Sequence, residues 1–409
     1  MLGIPVSRLL SSPRLSRRLR VSRVFALTSP VYLEERPTAP QSNTRRDHLL
    51  LIDASPILYA SHFAATGPAR HRFRTSTGRD TTVLFLFLRS LFALLERTPR
   101  PTHVCVVFDP PGDEDRAAAA SPEGTDASSA WDLNRTSLLP APAGGARSWR
   151  HDLLPSYKGG RPPTPFEISS AVPALRGLLD AACLGHAMVT GVEADDLLAT
   201  LATSAHKAGA AITLVSPDKD MNSLLSIPDL TLLRTRKRAT GVKGASTVVK
   251  DSKAVDFEIY SRESFALEFD GLKPERFAEL QALMGDLSDK IPGVSGIGKT
   301  RALKLLRAYD TLDEVLIAAL RGGITVDKPA AKCMAMPGAV ETARLCLKVT
   351  SLLTDVDVPV VQQPLDFWRR QPPTTERKQQ VVALLQELEF TSFIRRLDTL
   401  WDEINPNPL

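Results

Sequence analysis

Gly285 to Thr300 reads GDLSDKIPGVSGIGKT. From Gly293 onward it satisfies G-x-x-x-x-G-K-[ST], the fingerprint of a phosphate-cradling P-loop. A P-loop needs a buried strand directly ahead of its glycines, and a later apolar strand that ends in Asp. Here Asp286, Asp289, Lys290 and Pro292 occupy the place of the first strand, and no run suited to the second follows. The stretch therefore reads better as a hairpin between two helices. Gly293, Gly296 and Gly298 permit close backbone approach. Lys299 and Thr300 open the next helix, whose N-terminal amides can face a phosphate. Arg301, Lys304 and Arg307 add positive charge along it. A P-loop NTPase is thereby disfavoured.

Upstream of the hairpin, short apolar runs alternate with helical patterns. HLLLID (His48–Asp53), HVCVVFD (His103–Asp109), His186–Thr190, AITLVS (Ala211–Ser216) and Leu230–Thr235 read as strands. Thr81–Glu96, Phe166–Ala182 and Glu193–Lys207 read as helices. That alternation predicts an α/β fold, with a mostly parallel sheet covered by helices on both faces. From about Arg262 the pattern is helical throughout, and Thr374–Leu388 and Phe390–Trp401 are the closing helices. Residues 113–148 are rich in Ala, Ser, Pro and Gly without periodicity, and read as an insertion.

Asp53, Asp109 and Asp218 each follow a strand, where open α/β sheets bind ligands. Glu193, Asp195 and Asp196 open a helix, Asp218 and Asp220 flank a turn, and Asp286 and Asp289 are three apart. Any one pair is most simply a helix cap. Nine acids placed in this way point instead to carboxylates gathered on hard divalent cations, since close carboxylates cannot all ionise without compensation.

These motifs resemble the 5′ nuclease family: the exonuclease domain of bacterial DNA polymerase I, phage 5′ nucleases and, more distantly, flap endonucleases. The matching stretches are LLLIDASPILY, VVFDPPG, WRHDLLPSYKGGRPPTP, GVEADDLLATLA, LVSPDKDMNSLL, LQALMGDLSDKIPGVSGIGKTRALKLL and LLQELEFTSFIRRL, in family order from about His48 to Leu397. The resemblance implies a PIN-like (resolvase-like) nuclease domain over 47–255, with an arch at about 157–185. It implies a helix-three-turn-helix DNA-binding region over 256–330 and closing helices over 331–409. Asp53, Asp109, Glu193 and Asp195 match a first metal group. Asp218, Asp220 and Asp286 match a second, with Asp196 and Asp289 as inner or water-mediated ligands. Lys158 matches the basic residue that steadies the scissile phosphate beside Tyr157, and Arg150 and Arg161 match further phosphate contacts. Two Mg2+ about 4 Å apart are implied, replaceable by Mn2+, with a K+ at the glycine hairpin. The implied reaction is hydrolysis near a 5′ end, flap or nick in DNA, RNA-primed or not, leaving a 5′-phosphate and a 3′-hydroxyl. A separate polymerase and ligase are the expected partners of a monomer. A non-catalytic DNA scaffold is disfavoured by the complete acid set, and a PIN-type ribonuclease by the glycine hairpin.

Two positions depart from the family pattern. Lys290 stands where bacterial relatives usually carry Asn, and Pro217 where they usually carry Gly. Bulk properties add little. The formal charge is +5, but residues 1–46 hold nine Arg against two Glu, about +7, which leaves about −2 for the remainder. That Arg- and Ser-rich leader, without Lys, predicts delivery to a mitochondrion or plastid. The four Cys are dispersed, which fits thiols in a reducing compartment rather than a disulfide frame or zinc site. No apolar run reaches membrane-spanning length, so no membrane partner is expected.

Overall fold

The structure, a computed structural model, describes residues 46–66, 72–97, 99–111, 148–235 and 257–404. The leader, nearly all of the 113–148 insertion and the basic residues Arg236, Lys237 and Arg238 lie outside these.

Six strands form one sheet: β1 (His48–Asp53), β2 (His103–Val107), β3 (Gly185–Ala187), β4 (Ala211–Val215), β5 (Leu230–Thr235) and β6 (Phe257–Tyr260). Their order is β3-β2-β1-β4-β5-β6. Every pairing is parallel except β5 with β6. Strand β3 is shorter than expected. The antiparallel edge strand β6 and the helix Ala54–Thr66 that follows β1 directly have no counterpart in the sequence reading. Helices Thr82–Leu95, Phe166–Ala181 and Ala194–Lys207 fall within a residue of their expected bounds.

The sheet separates two cores by the period of two that strands impose. Leu49, Leu51, Cys105 and Val107 point into a core shared with helix Ala194–Lys207 and the helical second half. Leu50, Ile52, Val104 and Val106 point into the other, shared with helices Ala54–Thr66, Thr82–Leu95 and Phe166–Ala181. The closing helices Thr375–Glu387 and Thr391–Asp402 pack into this second core through Val381, Leu385, Phe393 and Leu397. The chain thus crosses the sheet twice, and the second half is bound to both faces. Arg234 packs 3.5 Å over the Tyr260 ring and donates to Asn222, so it is a structural link between β5 and β6.

GVSGIGKT is a hairpin. An isolated bridge, Asp286 to Ile291, precedes it, and helices Phe277–Met284 and Lys299–Tyr309 flank it. Gly293 has φ +62°, and a Cβ there would lie 2.3 Å from the Gly285 nitrogen. Gly293→Ala is therefore expected to cost roughly 1–3 kcal/mol for the left-handed backbone alone, with the steric clash in addition. Thermal denaturation checks this, and an unchanged melting temperature would show that the hairpin has room for a side chain.

Candidate metal centre at the carboxyl edge of the sheet

The strand order reverses at β1, between β2 and β4, which opens a crevice at the carboxyl ends of the strands. Asp53 ends β1 there and is buried, with Ser216 Oγ donating to its carboxylate at 2.8 Å. Asp109, after β2, accepts from Ser55 Oγ at 2.8 Å and from the Ala194 amide at 3.0 Å. The second bond caps helix Ala194–Lys207 and draws Asp109 to the turn carrying Glu193 and Asp195. Asp218, after β4, accepts from the Asp220 amide at 2.9 Å and so caps the 3-10 helix Lys219–Ser226.

The electrostatics place these groups together. Burial, then repulsion from Asp109 and Asp218, pushes the Asp53 carboxyl up to about 8 despite the Ser216 hydrogen bond. Burial and the charges of Asp218, Asp53 and Asp109 raise Asp195 well above the carboxylate range, against the opposing pull of Lys158. Burial and Asp218, with a smaller contribution from Asp289, push Asp220 up to about 7 against a hydrogen bond from Gln281. Asp218 is common to all three, so it joins a group of Asp53, Asp109 and Asp195 to a group of Asp220 and Asp289.

The helical half supplies the far side of the site. Gln281 Nε2 donates to Asp220 at 2.5 Å, and Lys219 Nζ lies 2.5 Å from Asp286. The Ser288 amide and hydroxyl both donate to Asp286. Burial raises the Asp286 carboxyl, but Lys219 and Ser288 together hold it below its ordinary value. Arg161 donates to Asp289.

Lys158 ties both groups to the arch base. Its Nζ lies 2.6 Å from Glu193, and its amide donates to the Asp289 carbonyl at 3.0 Å. Buried Tyr157 donates its hydroxyl to Glu193 at 3.1 Å. Burial raises Glu193, but Lys158 and Arg150 outweigh it and hold the carboxyl down at about 2.

Among the described residues, no three His, Cys, Asp or Glu side chains stand in the arrangement of a closed ion site. Glu193, Asp286 and Asp289 are instead turned onto Lys158, Lys219 and Arg161. The fit to divalent cations rests on the other acids. Burial and the charge of Asp218 raise Asp53, Asp195 and Asp220 alike, the donors are all oxygen, and a hard cation would relieve the repulsion.

Two expected site residues stand behind the acids rather than among them. Arg150, 3 % exposed, donates to both Asp196 oxygens at 2.7 and 2.8 Å, and to the carbonyls of Val349 and Ser351. Asp196, 1 % exposed, also accepts from the Leu353 amide at 2.9 Å. Arg150 also lies 3.5 Å from Glu193 and so supports that acid from the core side, too buried to meet a phosphate, and the Asp196 oxygens are taken up by Arg150, Leu353 and Trp149. Both are corrected to a buried structural pair. Five side chains in the site were not foreseen: Ser55, Ser216, Lys219, Gln281 and Ser288. Lys219 carried a signal, lying between two of the acids, and so did Gln281, a polar residue in the apolar run LQALM.

On the hairpin, Gly296 has φ +79° and Gly298 stands at the N-cap of the following helix, with Thr300 exposed in its first turn. The basic side chains there have partners. Lys299 lies 4.1 Å from the Phe269 ring centre and donates to the Glu268 carbonyl. Lys304 and Arg301 lie 3.4 and 3.8 Å from Asp327, and Arg307 lies 3.5 Å from Asp270.

Residues 135–254 match the family model of the 5′-3′ exonuclease N-terminal resolvase-like domain, and residues 272–376 that of the 5′-3′ exonuclease C-terminal SAM fold. The chain is 26% identical over 361 residues to a 5′-3′ exonuclease of Aquifex aeolicus, covering 88% of this chain and 99% of that one. It is 30% identical over 351 residues to DNA polymerase I of Bacillus caldotenax, covering 86% of this chain and 32% of the relative. It therefore spans about a third of the length of that polymerase. The bacteriophage T5 5′-exonuclease with bound zinc ions shares the fold at a TM-score of 0.50 and 17% identity, over 88% of this chain and 98% of that one. The T5 flap endonuclease, in a complex with DNA and metal ions, gives the same TM-score and identity, over 83% of this chain and 99% of that one.

Proposed function

Because the chain belongs to the 5′-3′ exonuclease family, we propose that it hydrolyses DNA at a 5′ end or 5′ flap with Mg2+ held by two acid groups that meet at Asp218. The observation that carries this is the convergence of buried carboxylates from both halves of the chain at the carboxyl edge of the sheet, where burial and then acidic neighbours raise Asp53 and Asp220.

The residues divide the work. Asp53, Asp109, Asp195 and Asp218 would hold one divalent ion, and Asp218 and Asp220 a second, joined by Asp286 and Asp289 once these are released from Lys219 and Arg161. Such ions supply Lewis-acid activation of a phosphodiester and of water. Lys158, released from Glu193, brings positive charge to the phosphate where negative charge builds in the transition state. Tyr157 and Gln281 hold Glu193 and Asp220 in position. Arg161 stands at the arch base, more than half exposed, where a strand entering the site meets it. Gly293, Gly296 and Gly298 bring backbone close to a duplex phosphate, with Thr300 in the first turn behind them. A K+ there is part of the same reading. Mn2+ is expected to substitute for Mg2+.

The uncut substrate would arise in primer removal, flap processing or repair, with polymerase and ligase as separate partners of a monomer. The Arg-rich leader supports action in a mitochondrion or plastid. A fluorescent fusion of residues 1–46 that stayed in the cytosol would remove that part.

One experiment tests the core. Labelled 5′-flap DNA, a matched RNA and ATP are incubated separately with the protein, with Mg2+ or EDTA. Cleavage of the DNA near the flap junction, dependent on Mg2+, is expected, with no ATP hydrolysis. Full cleavage in EDTA would refute the metal mechanism.

A further inference from the structure

Resting on that reading, we propose that Lys290 is a positioning residue that grips a backbone phosphate of the incoming DNA strand at the rim of the site, beside the scissile phosphate. The turn Asp286–Ile291 divides its side chains by direction. Asp286 and Asp289 are 5 % and 7 % exposed and face the acid groups, whereas Leu287 is 97 % exposed and Lys290 is exposed too.

The Lys290 ammonium lies across the arch base. It is 3.0 Å from the point where a Cβ on Gly160 would stand, and 3.9 Å from the equivalent point on Gly159. These glycines directly follow Lys158. Three cations therefore surround one turn, and two are already held: Lys158 by Glu193 and Arg161 by Asp289. Among the described residues the Lys290 ammonium has no carboxylate or other hydrogen-bond partner, although two acids lie within four residues of it. An exposed cation in that position is available to a phosphodiester without first breaking an ion pair.

The backbone supplies an independent argument. Lys290 has φ +55°. Asn takes that conformation more readily than Lys because its short side chain can bond locally. A strained backbone kept beside a functional site is a reason to look for what its side chain does there.

The test is binding of a 5′-phosphorylated, fluorescein-labelled flap duplex, followed by anisotropy in EDTA across a series of salt concentrations. Lys290→Gln is expected to weaken binding about two- to fivefold. It should also lower the slope of log affinity against log salt by about 0.7–0.9, the loss of one phosphate contact. Lys290→Arg should restore both. Lys290→Asn should weaken binding equally while raising the melting temperature. Unchanged affinity and slope in Lys290→Gln would overturn the proposal and leave the proposed function standing. So would unchanged DNA binding together with tighter Mn2+ binding, which would make Lys290 a repulsive neighbour of the ions. Failure of the unmodified protein to bind the flap would overturn both readings.

Discussion

Asp218→Asn is expected to lower the rate of flap cleavage at saturating Mg2+ by at least about 10³-fold while leaving flap binding within a few-fold of the original. The substitution keeps the cap, because an Asn side-chain oxygen can still accept the Asp220 amide that Asp218 accepts at 2.9 Å. What it removes is the one charge common to both acid groups. Several kcal/mol of transition-state stabilisation from bound ions depend on that charge, and each 1.36 kcal/mol is a factor of ten in rate. A second readout does not involve activity. Burial and then repulsion, from Asp218 among others, push Asp53 up to about 8, and repulsion from Asp218 also acts on buried Asp195 and Asp220. Folded-state values raised in this way mean that the native protein binds more protons than the unfolded chain. Without metal, stability from Asp53 is therefore full below its unfolded value of about 4 and falls as pH rises towards about 8. Removing Asp218 relieves that repulsion. The metal-free Asn variant should melt higher than the parent at pH 8, and added Mn2+ should raise its melting temperature less. A variant that cleaves within tenfold of the parent, or that gains as much from Mn2+, would remove Asp218 from the metal centre.

The part of this site that the sequence discloses is the part with local signatures. HLLLID and HVCVVFD are apolar runs that end in acids, and a strand's end is also the sheet's ligand-binding edge. Asp53 and Asp109 could therefore be placed without knowing the strand order. The hairpin was legible because DLSDKIP cannot be a buried strand. Other features were hidden because their partners are remote in the chain. Gln281 reaches Asp220 across 61 residues, and nothing in LQALM says which way its amide points. Strand β6 is four residues long and pairs antiparallel at an edge, so it lacks the length that marked the others. The helix Ala54–Thr66 follows β1 with no intervening turn residue. EADD shows the limit most clearly. Three acids within four residues look equivalent in sequence, but a helix turn directs Asp195 into the crevice and Asp196 into the core.

That separation makes Arg150→Ala the second decisive substitution, expected to cost about 3–5 kcal/mol of stability, the range for removing one partner of a buried ion pair. The loss of attraction is the smaller part. The Asp196 carboxylate would stay buried with the Leu353 amide as its main donor, and the carbonyls of Val349 and Ser351 would lose theirs. Arg150→Lys should recover only part of this, because an ammonium cannot reproduce the two parallel bonds of the guanidinium fork. The pair also fastens three segments: helix Trp149–Leu153, the start of helix Ala194–Lys207 and the chain after helix Ala339–Thr350. Its loss should loosen the turn that carries Glu193 and Asp195, so a fall in Mn2+ affinity is expected alongside the fall in melting temperature. Thermal denaturation and a double-mutant cycle with Asp196→Leu measure the coupling, and the double variant should be more stable than the sum of the single losses implies. A phosphate-contacting arginine would behave in the opposite way, with an unchanged melting temperature, weaker flap binding and a shallower salt dependence. Since no face of Arg150 reaches solvent at 3 % exposure, the first pattern is the expected one, and the second would return Arg150 to the substrate.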